Sequence, residues 1–198
     1  MSRKAQIRRT TGETDITLSL NLDGSGKAKI DTGIGFFDHM LDAFARHGMF
    51  DLEVKLSGDL KVDGHHSVED CGIVLGEAIK EAVGDKKGIR RYGSFVLPMD
   101  EALVLCAVDL CGRPYYRIRG AEKYEGVPMV GDFDTQLVRE FFYSVSYAAG
   151  MNLHFQILEG ENAHHIIEAM FKAFTKALDM ATGYDARIED VLSTKGTL

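Results

Sequence analysis

His65-His66-Ser67-Val68-Glu69 and His164-His165-Ile166-Ile167-Glu168 are two copies of one pattern, His-His-x-x-Glu, in a chain with seven histidines. Each copy opens a segment of helical periodicity. Val68, Ile73, Leu75, Ile79 and Val83 follow the first, and Ile167, Met170, Phe171, Phe174 and Leu178 follow the second. Residues four apart on a helix lie nearly above one another, so His65 converges with Glu69 and His164 with Glu168. The adjacent His66 and His165 are rotated by about 100° and look elsewhere. Each pair of histidines therefore offers two ligand directions. One copy of so short a pattern is readily explained by chance, but two copies argue for metal ligation.

Working outward, the same elements flank both copies. Ile16, Leu18, Leu20 and Leu22 alternate with polar residues, and Asp23-Gly24 turns the chain toward Ala28 and Ile30, the pattern of a hairpin. Phe36, Phe37, Met40, Leu41 and Phe44 are helically spaced with Gly48 as a stop, and Leu52, Val54 and Leu56 make a strand. The second half repeats this order. Leu103, Leu105, Ala107 and Leu110 form a strand that turns at Gly112-Arg113-Pro114 into Tyr116 and Ile118. A helix with Leu137, Phe141, Phe142 and Val145 follows, then a strand with Leu153, Phe155 and Ile157. A shift of 101 lays Met40 on Phe141, Phe44 on Val145 and Leu52 on Leu153, whereas the His-His clusters match at a shift of 99. The expectation is an internally duplicated α/β chain (an α+β sandwich), its halves spanning 1–92 and 93–198 in one compact unit.

The register extends the ligand set. His39 falls on Glu140 under the same shift, and each precedes two core-facing residues. The candidates are His39, His65, His66, Glu69, Glu140, His164, His165 and Glu168. Eight donors make two four-ligand sites with open positions for water or substrate. Imidazole with carboxylate and no thiolate points to manganese, iron, cobalt, nickel or zinc, and away from magnesium or calcium. Histidines that point apart suggest sites shared between neighbouring copies in a symmetric oligomer.

A net charge of −7 argues against general nucleic-acid or anionic-membrane binding. An anionic substrate therefore has to meet a local cluster drawn from Lys86, Lys87, Arg90, Arg91, Arg113, Arg117 and Arg119. Lys172 lies one turn after Glu168, and the tail carries Ser193, Thr194 and Lys195. Cys71, Cys106 and Cys111 show neither metal-type spacing nor an even count, which favours a reducing, cytoplasmic setting. No apolar run approaches the length that crosses a bilayer.

These residues sit in blocks that closely resemble the imidazoleglycerol-phosphate dehydratase family over nearly the whole chain. The blocks are Arg9-Thr10-Thr11-Gly12-Glu13-Thr14, Gly35-Phe36-Phe37-Asp38-His39-Met40-Leu41, Gly64 to Asp70, Gly88 to Gly93, Pro98-Met99-Asp100-Glu101, Gly112-Arg113-Pro114, Asn162 to Ala169, and Ser193-Thr194-Lys195-Gly196. The resemblance implies two halves, each a four-stranded sheet with two helices packed on one face. It also implies a 24-subunit homo-oligomer with two manganese ions per subunit at subunit interfaces. It carries the family's metal ligands to His39, His65, His66, Glu69, His164, His165 and Glu168. Several relatives have His where this chain has Glu140, and some have Gln at the position of Ala43. The phosphate contacts fall on Arg91, Arg113, Lys172, Ser193 and Lys195. Glu13 is the implied acid/base group, and Glu69 and Glu168 are counted with it as catalytic carboxylates.

The reaction so implied converts imidazoleglycerol phosphate to imidazole acetol phosphate and water in histidine biosynthesis. The abstracted proton sits on a carbon with no adjacent carbonyl, so its acidity must come from the imidazole ring, with a divalent ion on a ring nitrogen helping the ring to carry charge. The residues alone also allow a di-metal hydrolase or a shell in which metals only assemble subunits. The hydrolase would release inorganic phosphate; the shell would fall apart on chelation and bind no imidazole.

Overall fold

The computed structural model describes residues 3–198. Its first half comprises β1 (Lys4–Thr10), β2 (Thr14–Asn21), β3 (Ala28–Asp31), α1 (Gly35–Gly48), β4 (Asp51–Gly58) and α2 (His65–Val83). The second begins with β5 (Tyr92–Met99), β6 (Ala102–Asp109), β7 (Tyr115–Arg119) and the short α3 (Glu122–Glu125). It continues through β8 (Met129–Val130), β9 (Phe133–Asp134), α4 (Leu137–Ala149), β10 (Asn152–Glu159) and α5 (Ala163–Thr182).

In β2 the period-two pattern buries Ile16, Leu18 and Leu20 and leaves Thr17 and Ser19 partly exposed. The two large sheets have the same topology, β1-β2-β4-β3 and β5-β6-β10-β7. β3 runs parallel to β4 and β7 parallel to β10, while the other pairs are antiparallel. The duplication is thus present in the fold, with each half a four-stranded sheet.

Two local expectations need correction. β2 and β3 do not form a hairpin, because β4 lies between them; β6 and β7 are likewise separated by β10. The cause is the crossover helix. A strand, a helix and a second strand in one sheet return the chain in the same direction, so β4 pairs parallel with β3 and inserts beside β2. The strand opening each half, β1 and β5, was also not legible in the alternation pattern. β1 reads Lys-Ala-Gln-Ile-Arg-Arg-Thr, with only Ala5 buried.

The helices of the two halves pack on each other, α1 against α5 and α2 against α4, and one continuous apolar core runs through both. Phe37 meets Phe141 edge-on at 5.3 Å, and Phe44 stacks on Phe174 at 5.8 Å. Gly72 and Gly76 let α2 lie close on α4, since an added Cβ would come 2.7 Å from the Phe141 carbonyl oxygen and 2.6 Å from that of Val145. Helix α1 does end at Gly48, but the left-handed residue is Met49, with φ 58°. Gly48 is required for space, because Phe50 and the Thr175 hydroxyl crowd the place of its side chain.

Helix α1 has no capping side chain of its own. Asp132, from the other half, accepts the free N–H groups of Gly35 at 2.7 Å and Phe36 at 3.1 Å. Asp132→Ala is expected to cost about 1 kcal/mol, as other cap losses do, and to lower the melting temperature by about 2–4 °C. An unchanged melting curve would show that the cap contributes nothing. No helix among the described residues is long and apolar enough to cross a membrane.

Candidate metal centre

Asn162 starts α5 by accepting the backbone N–H of His164 at 2.9 Å, which puts both histidines in the first helical turn. One turn on, Glu168 lies 3.1 Å from His164 Nε2. His39, projecting from α1 across the helix pair, brings its Nε2 to 3.4 Å from the same carboxylate oxygen. The donor atoms of His39, His164 and Glu168 all lie within 4.8 Å of one another. Glu168 is buried, and its other oxygen accepts from Lys172 Nζ at 2.6 Å. Burial opposes its ionisation, but Lys172 and His39 outweigh that penalty and hold the carboxyl below its usual range. Two imidazoles and one ionised carboxylate at this spacing fit a borderline divalent cation.

The counterpart set lies where α2 packs on α4. His65 Nε2 stands 3.7 Å from Glu69, and Glu140 shares with His65 the lining of a cavity of about 150 Å³. These three do not close to the spacing of the first set.

His66 and His165 diverge from their neighbours, with ring planes at 82° to His65 and 76° to His164. His66 Nδ1 is 3.0 Å from Asp59, and its Nε2 is 3.7 Å from Glu13. His165 Nδ1 is 2.7 Å from Glu101, and its Nε2 is 3.8 Å from Asp100. The His165 hydrogen bond and the backbone N–H of Asn162 push the Glu101 carboxyl down to about 2. Glu13 sits in the β1–β2 turn, itself exposed but on a fastened loop. Thr14 Oγ1 donates to Asp70 at 2.5 Å, and Arg9 pairs with the same carboxylate at 2.9 Å. The turn is thereby tied to α2, next to Glu69.

Arg91, Arg113, Ser193 and Lys195 line one cavity of about 770 Å³ beside the tail. Arg91 is held in place there. Its guanidinium makes bonds of 2.7 and 3.1 Å to Asp109, and Nη1 donates to the Leu192 carbonyl at 2.8 Å. Lys172 is not among the residues lining this cavity; it lies against Glu168 instead.

Asp59, Asp70, Glu101 and Asp132 were not singled out as functional by sequence reasoning, because each acts through another residue. The one available signal was Glu101. The strand registers pair Leu18 with Val54 and Cys106 with Phe155, and that correspondence lays Glu13 on Glu101.

Comparison with known proteins places these features in a family. A sequence profile described as Imidazoleglycerol-phosphate dehydratase matches residues 32–178. The chain is 64% identical over 198 residues to the imidazoleglycerol-phosphate dehydratase of Lachnoclostridium phytofermentans and 62% identical to that of Acetivibrio thermocellus, with 100% of each chain covered. Among solved structures, imidazoleglycerol-phosphate dehydratase from Staphylococcus aureus superposes with TM-score 0.82 at 39% identity, covering 92% of this chain and 99% of that one. The Pyrococcus furiosus enzyme gives TM-score 0.80 at 38% identity, covering 97% and 100%.

Proposed function

The chain belongs to the imidazoleglycerol-phosphate dehydratase family, and from that membership we propose how its own residues carry the reaction. It is a dehydratase, a hydro-lyase of histidine biosynthesis. The reading adds a divalent cation, with His39, His164 and Glu168 holding one ion, and His65, Glu69 and Glu140 a second. The observation that carries it is the convergence of His39, His164 and Glu168 within 4.8 Å. Such a cation supplies Lewis acidity toward an imidazole nitrogen, so that the substrate ring tolerates negative charge.

The hydroxyl leaves as water from the side-chain carbon next to the ring, Glu13 takes the proton from the following carbon, which keeps its own hydroxyl, and the resulting enol ketonises to imidazole acetol phosphate. Arg91, Arg113, Ser193 and Lys195 receive the phosphate, and Lys172 holds Glu168 ionised. Asp109 presents Arg91 in a fixed orientation, which lowers the entropy lost when it binds phosphate.

His66 and His165 point away from both sets within the chain, so they complete the sites of neighbouring copies. The reading then has two manganese ions per subunit, shared across interfaces of a 24-subunit homo-oligomer, as the resemblance to the family implies. Residues 1–92 and 93–198 are then two descendants of one ancestral half. The three free, buried cysteines suit a cytoplasmic enzyme.

The test is conversion of imidazoleglycerol phosphate by protein whose metal content is measured on the same sample. Manganese-loaded protein is expected to form the acetol phosphate without releasing inorganic phosphate, and chelated protein is expected to stop. Phosphate release would favour the hydrolase. Full turnover by metal-free protein would remove the cation from the reaction.

A further inference from the structure

His66 and His165 occupy equivalent places in the two halves, and each has a carboxylate on Nδ1. The carboxylates do not come from equivalent places. Asp59 follows β4, and the 101-residue shift that relates β4 to β10 puts Gly160 at its counterpart, where no side chain is available. In the second half the same task falls to Glu101, on the β5–β6 turn. The counterpart of Glu101 is Glu13, on the β1–β2 turn, and Glu13 faces Nε2 of His66 rather than Nδ1. The two halves therefore solve one geometric problem with different residues.

We infer that Asp59 and Glu101 are positioning residues that fix the tautomer and ring orientation of His66 and His165, and that this division of labour releases Glu13 for proton transfer. The inference rests on the metal-binding reading given above. An imidazole that donates its Nδ1–H to a carboxylate carries its lone pair on Nε2, and the carboxylate raises the basicity of that nitrogen. At 3.0 and 2.7 Å, both contacts are within hydrogen-bonding range.

Of the two carboxylates, Glu101 is anchored. Glu101 Oε1 accepts the backbone N–H groups of Asn162 at 2.8 Å and Glu161 at 3.2 Å, which ties it to the residue that caps α5. In Asp59 one oxygen faces His66 while the other is buried without a partner among the described residues. The asymmetry also accounts for the different surroundings of Glu13 and Glu101. Glu13 is exposed and free of side-chain hydrogen bonds to its carboxylate among the described residues, as proton transfer requires, while both oxygens of Glu101 are engaged.

The test is manganese titration of the full-length protein and its Asp59→Ala, Asp59→Asn, Glu101→Ala and Glu101→Gln variants, followed by the loss of the free-ion electron paramagnetic resonance signal. Each alanine variant is expected to bind manganese about 10–100-fold more weakly. The amide variants, which keep an acceptor oxygen for Nδ1–H but lose the charge, should fall between alanine and the parent. A merely structural contact would lower the melting temperature of metal-free protein without this graded loss of affinity. Alanine variants that bind as tightly as the parent would overturn the inference while leaving the metal reading intact. A parent that binds no manganese would overturn both.

Discussion

Glu13→Gln is expected to lower kcat by about 10²–10⁴-fold, the usual contribution of a positioned acid/base group, while metal content and melting temperature stay at parental values. The separation of effects follows from where Glu13 sits. Its side chain is about half exposed and stands 3.7 Å from His66 Nε2, whereas the turn that carries it is fastened by other residues. Thr11 Oγ1 accepts the backbone N–H of Glu13 at 3.1 Å, and Asp70 binds both Thr14 and Arg9. Glutamine preserves the shape and removes only the ability to take a proton. Turnover within about threefold of the parent by a fully metallated Glu13→Gln protein would exclude Glu13 as the proton carrier, and attention would pass to Asp100, 3.8 Å from His165 Nε2. Arg9→Ala should act differently. It loosens the turn without touching the acid/base group, so the predicted result is a smaller fall in kcat together with a lower melting temperature.

How much of this was legible in sequence depended on whether one element carried the signal alone. The His-His-x-x-Glu repeats sit on single helices, where spacing dictates which residues converge, and Glu168 does meet His164. The placement of His39 beside them was not legible, because α1 and α5 are far apart in sequence and the duplication register only paired His39 with Glu140. Strand order was lost for the opposite reason. Asp23-Gly24 looks like a hairpin turn, yet hydrogen-bonding partners are chosen by the crossover helix that follows, which no local pattern records. The same limit hid Asp132, whose capping of α1 joins positions 97 apart. Gly48 was read as a helix stop, but its reason is crowding by Phe50 and Thr175, which only packing reveals.

Gly93→Ala is expected to be the most damaging single-methyl addition in the chain, lowering the melting temperature of the metal-free protein by about 10 °C. Strand β5 crosses the last turns of α5 at Gly93. A Cβ there would fall inside the contact radius of the Ala177 carbonyl oxygen, 2.8 Å from the carbonyl carbon and 2.9 Å from the Ala181 nitrogen. None of these is the movable end of a side chain, so strand or helix must shift. Neither shifts easily, because Arg91 N donates to the Ala181 carbonyl and Arg90 N to that of Gly183, both at 2.9 Å. Overpacking a rigid core costs about 1–3 kcal/mol and more where backbone must move, and each 1 kcal/mol lowers the melting temperature by about 2–4 °C at this size. The displacement also reaches the site, since Arg91 lies two residues before Gly93 and α5 carries His164, His165, Glu168 and Lys172. Gly126→Ala is the matched control, because an added Cβ there meets nothing within 4 Å and the backbone is right-handed at φ −70°. That variant should stay within about 0.5 kcal/mol of the parent, as ordinary surface changes do. If Gly93→Ala melted with Gly126→Ala, the close crossing of β5 over α5 would have to be abandoned, and with it the rigid link between that helix and the cavity beside the tail.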